Sequence, residues 1–259
     1  MSQPQITSKK VWLVTGSNRG IGFALVSLLS QRDDVIVFAG IRDPANAVEL
    51  NQLVKENHNV HLVKLSSGDE REAEAVVEQI ERVADGLDYV IANAGINNSL
   101  LHVNEMTRDA FDSHIGTNAW GTILLFQKVH RLLIKRPQPV FAAISSITGS
   151  NIGQKVVPAE YGGFAAYGMS KTVINWAMSR LATEHKTEGI ITLSIHPGVV
   201  MTDMVKNGIK DGPQEIKDYM QSMSITPEQS AKDILSTIER ATPDQSGGFY
   251  QWSGEQLPF

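Results

Sequence analysis

The 259-residue sequence predicts a single-domain α/β fold, in which a doubly wound parallel sheet of about seven strands carries helices on both faces. Two observations lead to this prediction. Short apolar runs that do not alternate between apolar and polar residues are typical of strands buried on both faces. Segments long enough for helices separate these runs, and strand-helix-strand alternation produces parallel pairing through right-handed crossovers.

The elements follow one another in a regular order. Strands are predicted at Val11–Thr15, Val35–Ala39, Val60–Leu65, Leu87–Ala92, Val140–Ser145 and Ile190–Ile195. Helices are predicted at Ile21–Gln31, Ala45–Asn57, Asp69–Ala84, Arg108–Ile134 (long enough for two helices) and Ala166–Lys186. Another helix should begin after Thr226, because threonine is a favourable N-cap and Pro227 fits the first helical position. Since no linker-like tract or repeat divides the chain, residues 1–259 are expected to form one domain.

Composition restricts the partners. The chain has 23 Lys plus Arg against 28 Asp plus Glu, a net charge of -5, so it lacks the basic field that nucleic acid requires. The absence of cysteine excludes disulfides and thiolate chemistry. The one close histidine pair, His58 and His61, offers too few ligands, and no metal is expected. No apolar stretch approaches the roughly 20 residues of a membrane span, so we expect a cytoplasmic protein without membrane contact.

A glycine-rich turn follows the first predicted strand and opens a helix. It reads Thr15-Gly16-Ser17-Asn18-Arg19-Gly20-Ile21-Gly22. Glycines permit a tight turn and a close backbone approach to a pyrophosphate, while the helix N-terminus offers free N–H groups and a positive dipole end. Because the turn lies inside a strand-helix-strand unit, it predicts dinucleotide binding rather than an ordinary connection.

The spacing of this turn resembles the Thr-Gly-x-x-x-Gly-x-Gly pattern of the short-chain dehydrogenase/reductase family. Three further landmarks occur in that family's order, namely Asn93-Ala94-Gly95, Tyr167-x-x-x-Lys171 and His196-Pro197-Gly198. The resemblance runs from Val11 to about Thr202 and implies a Rossmann fold. A long segment before Tyr167 resembles carbonyl-reductase-like members, including fungal ketoreductases of the norsolorinic acid ketoreductase type and C-factor-type proteins.

The Tyr-x-x-x-Lys pair suits carbonyl reduction, which needs a proton donor for the developing alkoxide. Tyrosine has an ordinary pKa near 10, too high for ready proton exchange at neutral pH. Lys171 lies one helical turn after Tyr167 on the same face. A cation about 4 Å away, at an effective dielectric constant of about 20, favours tyrosinate by roughly 4 kcal/mol, and we expect it to lower the tyrosine pKa by about 3 units.

The resemblance supplies two more candidate catalytic residues. The family pattern Ser-x-x-Gly assigns the carbonyl-orienting hydroxyl to Ser146, and leaves Ser145 as a neighbour hydrogen-bonded at the strand end. The pattern Asn-x-x-Gly assigns to Asn118 a water that relays protons to Lys171. Asparagine is unfavourable inside a helix, so a helix-capping or kink-stabilising role for Asn118 is the alternative.

Two arginines favour NADP(H) over NAD(H). In the family register, Ile41 stands where NAD-selecting members carry an aspartate, and Arg42 follows it. Arg19 supplies a second guanidinium, and both can make forked contacts with a 2′-phosphate. Asp43 would weaken this preference for NADP(H) if its carboxylate turned toward the ribose. The alternative is that Asp43 caps the helix that starts at Pro44.

The resemblance implies a set of cofactor-binding positions along the chain. In the place of the usual adenine-binding aspartate stands Ser66, and Tyr167 and Lys171 serve cofactor as well as catalysis. The remaining positions are Gly16, Asn18, Arg19, Gly20, Ile21, Gly22, Arg42, Asn93, Ala94, Gly95, Pro197, Gly198, Val200 and Thr202.

Residues 199–225, within the same domain, are expected to bind the substrate. Flexible methionines suit an adaptable apolar surface, so we expect a bulky hydrophobic ketone or aldehyde. The expected wall consists of Ile147, Val156, Val157, Phe164, Val199, Met201, Met204, Val205, Met220 and Met223.

Two alternatives stay open beside NADPH-dependent reduction: a biosynthetic enzyme whose main chemistry is cyclisation, and a non-catalytic NADP sensor. A homodimer, a homotetramer and a monomer are all compatible with the sequence.

Overall fold

Within residues 9–156, 164–208, 210 and 214–259, which the computed structural model describes, ten strands form two sheets. The strands are β1 (Lys10–Thr15), β2 (Val35–Ile41), β3 (Val60–Lys64), β4 (Tyr89–Ala92), β5 (Val140–Ile144), β6 (Ile191–His196), β7 (Val199–Val200), β8 (Ser224–Ile225), β9 (Phe249–Gln251) and β10 (Gln256–Leu257). The main sheet has the order β10-β9-β6-β5-β4-β1-β2-β3, and every neighbouring pair in it is parallel except β9 with β10.

Helices cover both faces of this sheet. They are α1 (Gly20–Ser30), α2 (Val48–Glu56), α3 (Glu70–Val83), α4 (Arg108–His114), α5 (Gly121–Leu133), α6 (Ala165–Glu184), α7 (Asp203–Gly208), α8 (Gln214–Ser222) and α9 (Pro227–Glu239). One buried core joins the sheet to α1, α2 and α9, and a second joins its other face to α3, α5 and α6. The predicted doubly wound α/β fold is confirmed.

The strand count differs from the prediction, because the main sheet contains eight strands and not about seven. The six strands predicted from apolar runs correspond to β1–β6. The two others, β9 and β10, are three and two residues long and form an antiparallel hairpin at the sheet edge. Elements this short carry almost no periodic signal.

The predicted helical segment Arg108–Ile134 contains two helices joined without a loop. Between α4 and α5 the chain makes a π-helical turn, Ile115–Trp120, in which Asn118 is fully buried. Such turns insert one residue into a helix and occur frequently at functional sites. The turn therefore changes which α5 residues face the sheet.

Two short strands within residues 199–225 form a second sheet that is separate from the main one. The two-residue strands β7 and β8 lie parallel, with Val199 opposite Ser224 and Val200 opposite Ile225. The next helix, α9, begins as predicted, since the Thr226 hydroxyl accepts a hydrogen bond from the Gln229 backbone N–H at 3.1 Å. In the part of the chain that the structure describes, no helix is both long and apolar enough to cross a membrane.

Candidate active site

The carboxyl ends of the parallel strands meet where the strand order reverses, between β1 and β4. Open α/β sheets bind ligands in the crevice outside such a point. The glycine-rich turn leaves β1 here, and Asn93-Ala94-Gly95 leaves β4 beside it. The topology thus brings two separate sequence patterns to one place.

Hydrogen bonds hold these two segments together. The Thr15 hydroxyl accepts from the backbone N–H groups of Asn93 and Ala94, at 3.0 and 2.9 Å. In return, the Asn93 side-chain amide donates to the carbonyls of Thr15 and Gly16, at 2.9 and 3.2 Å. The glycine-rich turn after β1 and the segment after β4 are therefore held together by hydrogen bonds from both sides.

Gly16 and Gly22 are required by the geometry of the turn. Gly16 has a φ of +67°, a left-handed conformation that costs a side-chain-bearing residue about 1 kcal/mol or more. A Cβ on Gly22 would lie 2.2 Å from the Gly16 carbonyl oxygen and 2.6 Å from the Asn93 amide nitrogen. The first turn of α1 consequently packs directly against the glycine-rich turn.

Ser146, Tyr167 and Lys171 meet beside this turn. Ser146 and Tyr167 lie 21 residues apart in sequence, yet their side chains share a hydrogen bond. Lys171 is 4% exposed, its ammonium donates to the Ile144 carbonyl at 2.7 Å, and it lies 5.4 Å from the centroid of the Tyr167 ring. The end of β5 and the start of α6 thus present a hydroxyl, a phenol and an ammonium together.

Glycine also makes this contact between β5 and α6 possible. A Cβ on Gly149, the last residue of the Ser-x-x-Gly pattern, would lie 2.6 Å from the Lys171 Cβ. Ser145, predicted as the bonded neighbour, donates to the Asn175 side chain at 2.6 Å in the buried interior. That prediction is confirmed.

The expected pKa of Tyr167 is wrong for this structure. Burial raises the pKa of Tyr167 to about 12, and the hydrogen bond with Ser146 offsets only part of this rise. Burial also lowers the pKa of Lys171 to about 8. Desolvation, which disfavours the charged forms of both side chains, outweighs the attraction between the lysine cation and a tyrosinate.

Asn118 lies behind the cavity and not on its wall. Its amide oxygen accepts from the Ile96 N–H at 2.8 Å, and its amide nitrogen donates to the Ile96 carbonyl and to the Ser170 hydroxyl, both at 2.9 Å. Ser170 in turn donates to the Tyr167 carbonyl at 2.6 Å. This geometry favours the kink-stabilising alternative, because the amide ties the π-helical turn to α6 and to the segment after β4.

The other predicted site residues line one cavity of about 1200 Å³. They comprise all the predicted cofactor-binding positions together with Ser146, Tyr167 and Lys171. Ser66 lies on this wall, while its backbone N–H donates to Glu72 at 2.7 Å. Thr202 approaches the glycine-rich turn from the opposite side, since a Cβ on Gly20 would lie 3.0 Å from its methyl group.

The two arginines reach one end of the cavity. Within the described residues, no hydrogen bond or ion pair engages the guanidinium group of Arg42, which is exposed. Arg19 forms an exposed ion pair with Asp203 at 3.6 Å, an arrangement that contributes little stability. Asp43 accepts a hydrogen bond from Asn46 at 2.6 Å, which lowers the pKa of the Asp43 carboxyl. A carboxylate engaged with Asn46 agrees with a local turn-stabilising role for Asp43.

Most of the expected apolar wall is present. The cavity is lined by Ile147, Phe164, Val199, Met201, Met204, Val205, Met220 and Met223. The side chain of Val156 and the whole of Val157 lie outside what the structure describes.

Comparison with known proteins gives the family. The model of the short chain dehydrogenase family matches residues 10–212. The chain belongs to the short-chain dehydrogenase family. An uncharacterised oxidoreductase of Schizosaccharomyces pombe is 35% identical over 256 residues, covering 98% of this chain and 99% of the relative. The norsolorinic acid ketoreductase of Dothistroma septosporum is 30% identical over 272 residues, covering 99% and 96%.

Solved structures agree with this family. The NADPH-bound carbonyl reductase from chicken fatty liver has a TM-score of 0.85 and 28% identity, covering 98% of this chain and 100% of that one. The carbonyl reductase Sniffer of Drosophila melanogaster has a TM-score of 0.83 and 27% identity, with 97% and 100% covered. The predicted family, its oxidoreductase class and the likeness to its carbonyl-reductase and ketoreductase members are confirmed.

Several wall residues of this short-chain dehydrogenase were missed by sequence reasoning. His196, Tyr219, Gln251, Trp252 and Leu257 also line the cavity. The last three belong to or border the β9–β10 hairpin, which lies beyond the region where the family patterns are found. The sequence does carry a local signal, because the aromatic-rich run Phe249–Trp252 stands between Gly247-Gly248 and Ser253-Gly254, as in a hairpin.

Gly22→Ala tests the close approach in the glycine-rich turn. The new methyl group would overlap the Gly16 carbonyl oxygen, so we expect the free energy of unfolding to fall by about 1–3 kcal/mol, measured by urea denaturation. Gly116→Ala is the matched control, because a Cβ there meets nothing within 4 Å. Equal stability of the two variants would contradict the packing described.

Proposed function

We propose that this short-chain dehydrogenase uses NADPH to reduce a bulky, hydrophobic ketone or aldehyde to an alcohol. The observation that carries the proposal is the meeting of Ser146, Tyr167 and Lys171 on the wall of the same cavity as the glycine-rich turn. A proton donor and an orienting hydroxyl are thereby next to a nucleotide-binding crevice. The names of the ketoreductase and carbonyl reductase relatives support the same reaction class.

The residues at the crevice fit a dinucleotide phosphate. Gly16, Gly20 and Gly22 line the cavity where α1 begins. The first N–H groups of a helix have no intrahelical partner, so they would be available to a pyrophosphate there. Arg19 and Arg42 would hold the 2′-phosphate, and Lys171 the ribose. Asn93, Gly95, Val200 and Thr202 line the remainder of the groove. When bound, NADPH supplies the hydride that reduces the carbonyl carbon.

Tyr167 would donate the proton to the carbonyl oxygen. Its raised pKa keeps the phenol protonated through the physiological range, which is the form required for reduction. When substrate binds, the Ser146 hydroxyl would turn its single proton from Tyr167 to the same carbonyl oxygen and so orient it. Both groups are held before the substrate arrives, because the end of β5 is bonded to α6.

Lys171 would act in two ways. In its protonated form the ammonium stabilises negative charge that develops on the Tyr167 oxygen as the proton leaves. It also offers hydrogen-bond donors to the ribose. Asn118 would act as a positioning residue, since its amide joins the π-helical turn to Ser170 in the same helix as Tyr167 and Lys171.

The cavity supports a large apolar substrate. Its volume of about 1200 Å³ exceeds the 300–1000 Å³ typical of a small-molecule site, which leaves room for a dinucleotide and a second molecule. Met201, Met204, Met220 and Met223 come from residues 199–225, the segment we propose as the substrate-binding region. Phe164 and Trp252 add flat aromatic surface.

Tyr167→Phe should remove ketone reduction and leave NADPH binding within about twofold, because one hydroxyl in the acid-base step is lost while the turn and the arginines remain. The measurement is NADPH oxidation with a panel of aromatic ketones, β-keto esters and α-diketones. NADPH binding is followed separately by fluorescence. A Tyr167→Phe enzyme with undiminished turnover would exclude Tyr167 as the acid.

Arg42→Ala should weaken NADPH binding on the order of tenfold or more and leave NADH binding nearly unchanged, since charge-assisted hydrogen bonds to a phosphate contribute about 1.5–3 kcal/mol. Arg82→Ala is the charge-matched control, because Arg82 is in the last turn of α3, far from the cavity wall. If both variants keep the same NADPH/NADH preference, the 2′-phosphate contacts other residues.

The affinity for NADPH should fall as the pH rises through about 8. Lys171 has a lowered pKa, so it is charged below about pH 8 and loses its charge, and its ribose contact, above it. The same midpoint should appear for NADPH binding to Tyr167→Phe, because the titrating group is the lysine. A midpoint that disappears in Tyr167→Phe would instead assign the titration to the tyrosine.

A further inference from the structure

A cluster of three ligating side chains lies far from the cavity, at the C-terminal ends of α5 and α6. It consists of His130, His185 and Glu188, and their ligand atoms all lie within 4.8 Å of one another. The His130 Nε2 and the His185 Nδ1 both contact the same Glu188 oxygen, at 2.6 and 2.8 Å. These hydrogen bonds lower the pKa of Glu188, which is therefore a carboxylate at neutral pH.

The backbone holds this cluster in place independently of any ligand. His130 is in the last turn of α5, while His185 caps α6. A 3-10 turn follows directly, in which the Glu188 N–H donates to the His185 carbonyl at 3.0 Å, so the two side chains project from one turn. Gly189, with a φ of +74°, ends that turn.

A buried aromatic ring limits the orientation of both imidazoles. Phe126 is 3% exposed, and its ring centroid lies 5.9 Å from that of His130 and 5.1 Å from that of His185. The two imidazole rings lie 4.8 Å apart. The outer side of the cluster is open, since all three side chains are between 21% and 38% exposed.

We propose that His130, His185 and Glu188 form a binding site for one zinc-like transition-metal dication. Two imidazole nitrogens and one carboxylate oxygen are a ligand set that Zn²⁺ takes in proteins, with a fourth position left for water. Ligand atoms around tetrahedral Zn²⁺ lie about 3.3 Å apart. Small side-chain rotations from the observed spacing reach that geometry, and the metal replaces the two hydrogen bonds to Glu188.

Such a site would act on stability and not on the chemistry of the cavity. Along α6, eighteen residues separate Tyr167 from His185, which corresponds to about 27 Å. A bound ion would join α5 to the turn that follows α6, and α5 and α6 are two of the helices that pack over one face of the sheet. The inference is therefore independent of the proposed reduction.

The test uses the full chain without a histidine tag, stripped with a chelator and titrated with ZnCl₂. Isothermal titration calorimetry gives stoichiometry and affinity, and thermal unfolding gives the shift in Tm. We expect one Zn²⁺ per chain and a Tm that rises with Zn²⁺ concentration. In His185→Gln and Glu188→Gln the affinity should fall on the order of tenfold or more, with the Tm shift reduced accordingly.

His58→Gln is the matched control, because it removes an exposed histidine outside the cluster. Its Zn²⁺ affinity should equal that of the unmodified chain. Circular dichroism of the metal-free variants checks that each one folds. The proposal is overturned if the unmodified chain shows no saturable Zn²⁺ binding, or if His185→Gln and Glu188→Gln bind Zn²⁺ as tightly as His58→Gln does.

Discussion

The close backbone contact between the glycine-rich turn and the first turn of α1 is the constraint on which the site depends. The Gly22 Cα lies against the Gly16 carbonyl, and Asn93 bonds the same turn from the end of β4. This contact aims the N-terminus of α1 at the crevice, where its N–H groups and positive dipole end favour an anion. A side chain at either glycine would separate β1, α1 and β4 together, because all three share the same few atoms of contact.

Burial determines the chemistry at the other side of the crevice. Burial disfavours the charged forms of Tyr167 and Lys171, so their pKa values move apart, to about 12 for the phenol and about 8 for the ammonium. Hydrogen bonds to Ser146 and to the Ile144 carbonyl offset part of this cost. A tyrosine that keeps its proton suits reduction better than oxidation, and the environment of the pair, more than the identity of its residues, sets that preference.

The sequence was sufficient to predict the fold and to select candidate residues that the structure brings to one cavity. Apolar runs located β1–β6, since a strand buried on both faces must be apolar throughout, and the strict spacing of the Thr15–Gly22 turn and of Tyr167 with Lys171 selected the crevice. It was insufficient for β9 and β10, which are too short to show periodicity, and hence for Trp252 on the cavity wall. The sequence also did not predict the raised pKa of Tyr167, because desolvation depends on which groups surround the side chain in the folded protein. The role of Asn118 could not be predicted either, because Ile96 and Ser170, which bond its amide, lie 22 and 52 residues away in sequence.

The pairing of β7 with β8 has a consequence for how this chain could diversify. Four residues close the base of a loop, so the segment between Val200 and Ser224 begins and ends at fixed points. Closing a longer loop costs little, roughly 0.6 kcal/mol for each doubling of its length. Insertions, deletions and exchanged side chains in this segment would therefore leave β6 and α9 undisturbed. The glycine-rich turn and its contacts tolerate few changes, whereas the segment between β7 and β8 tolerates many. A change of substrate could therefore come from this segment alone, with the nucleotide crevice unchanged.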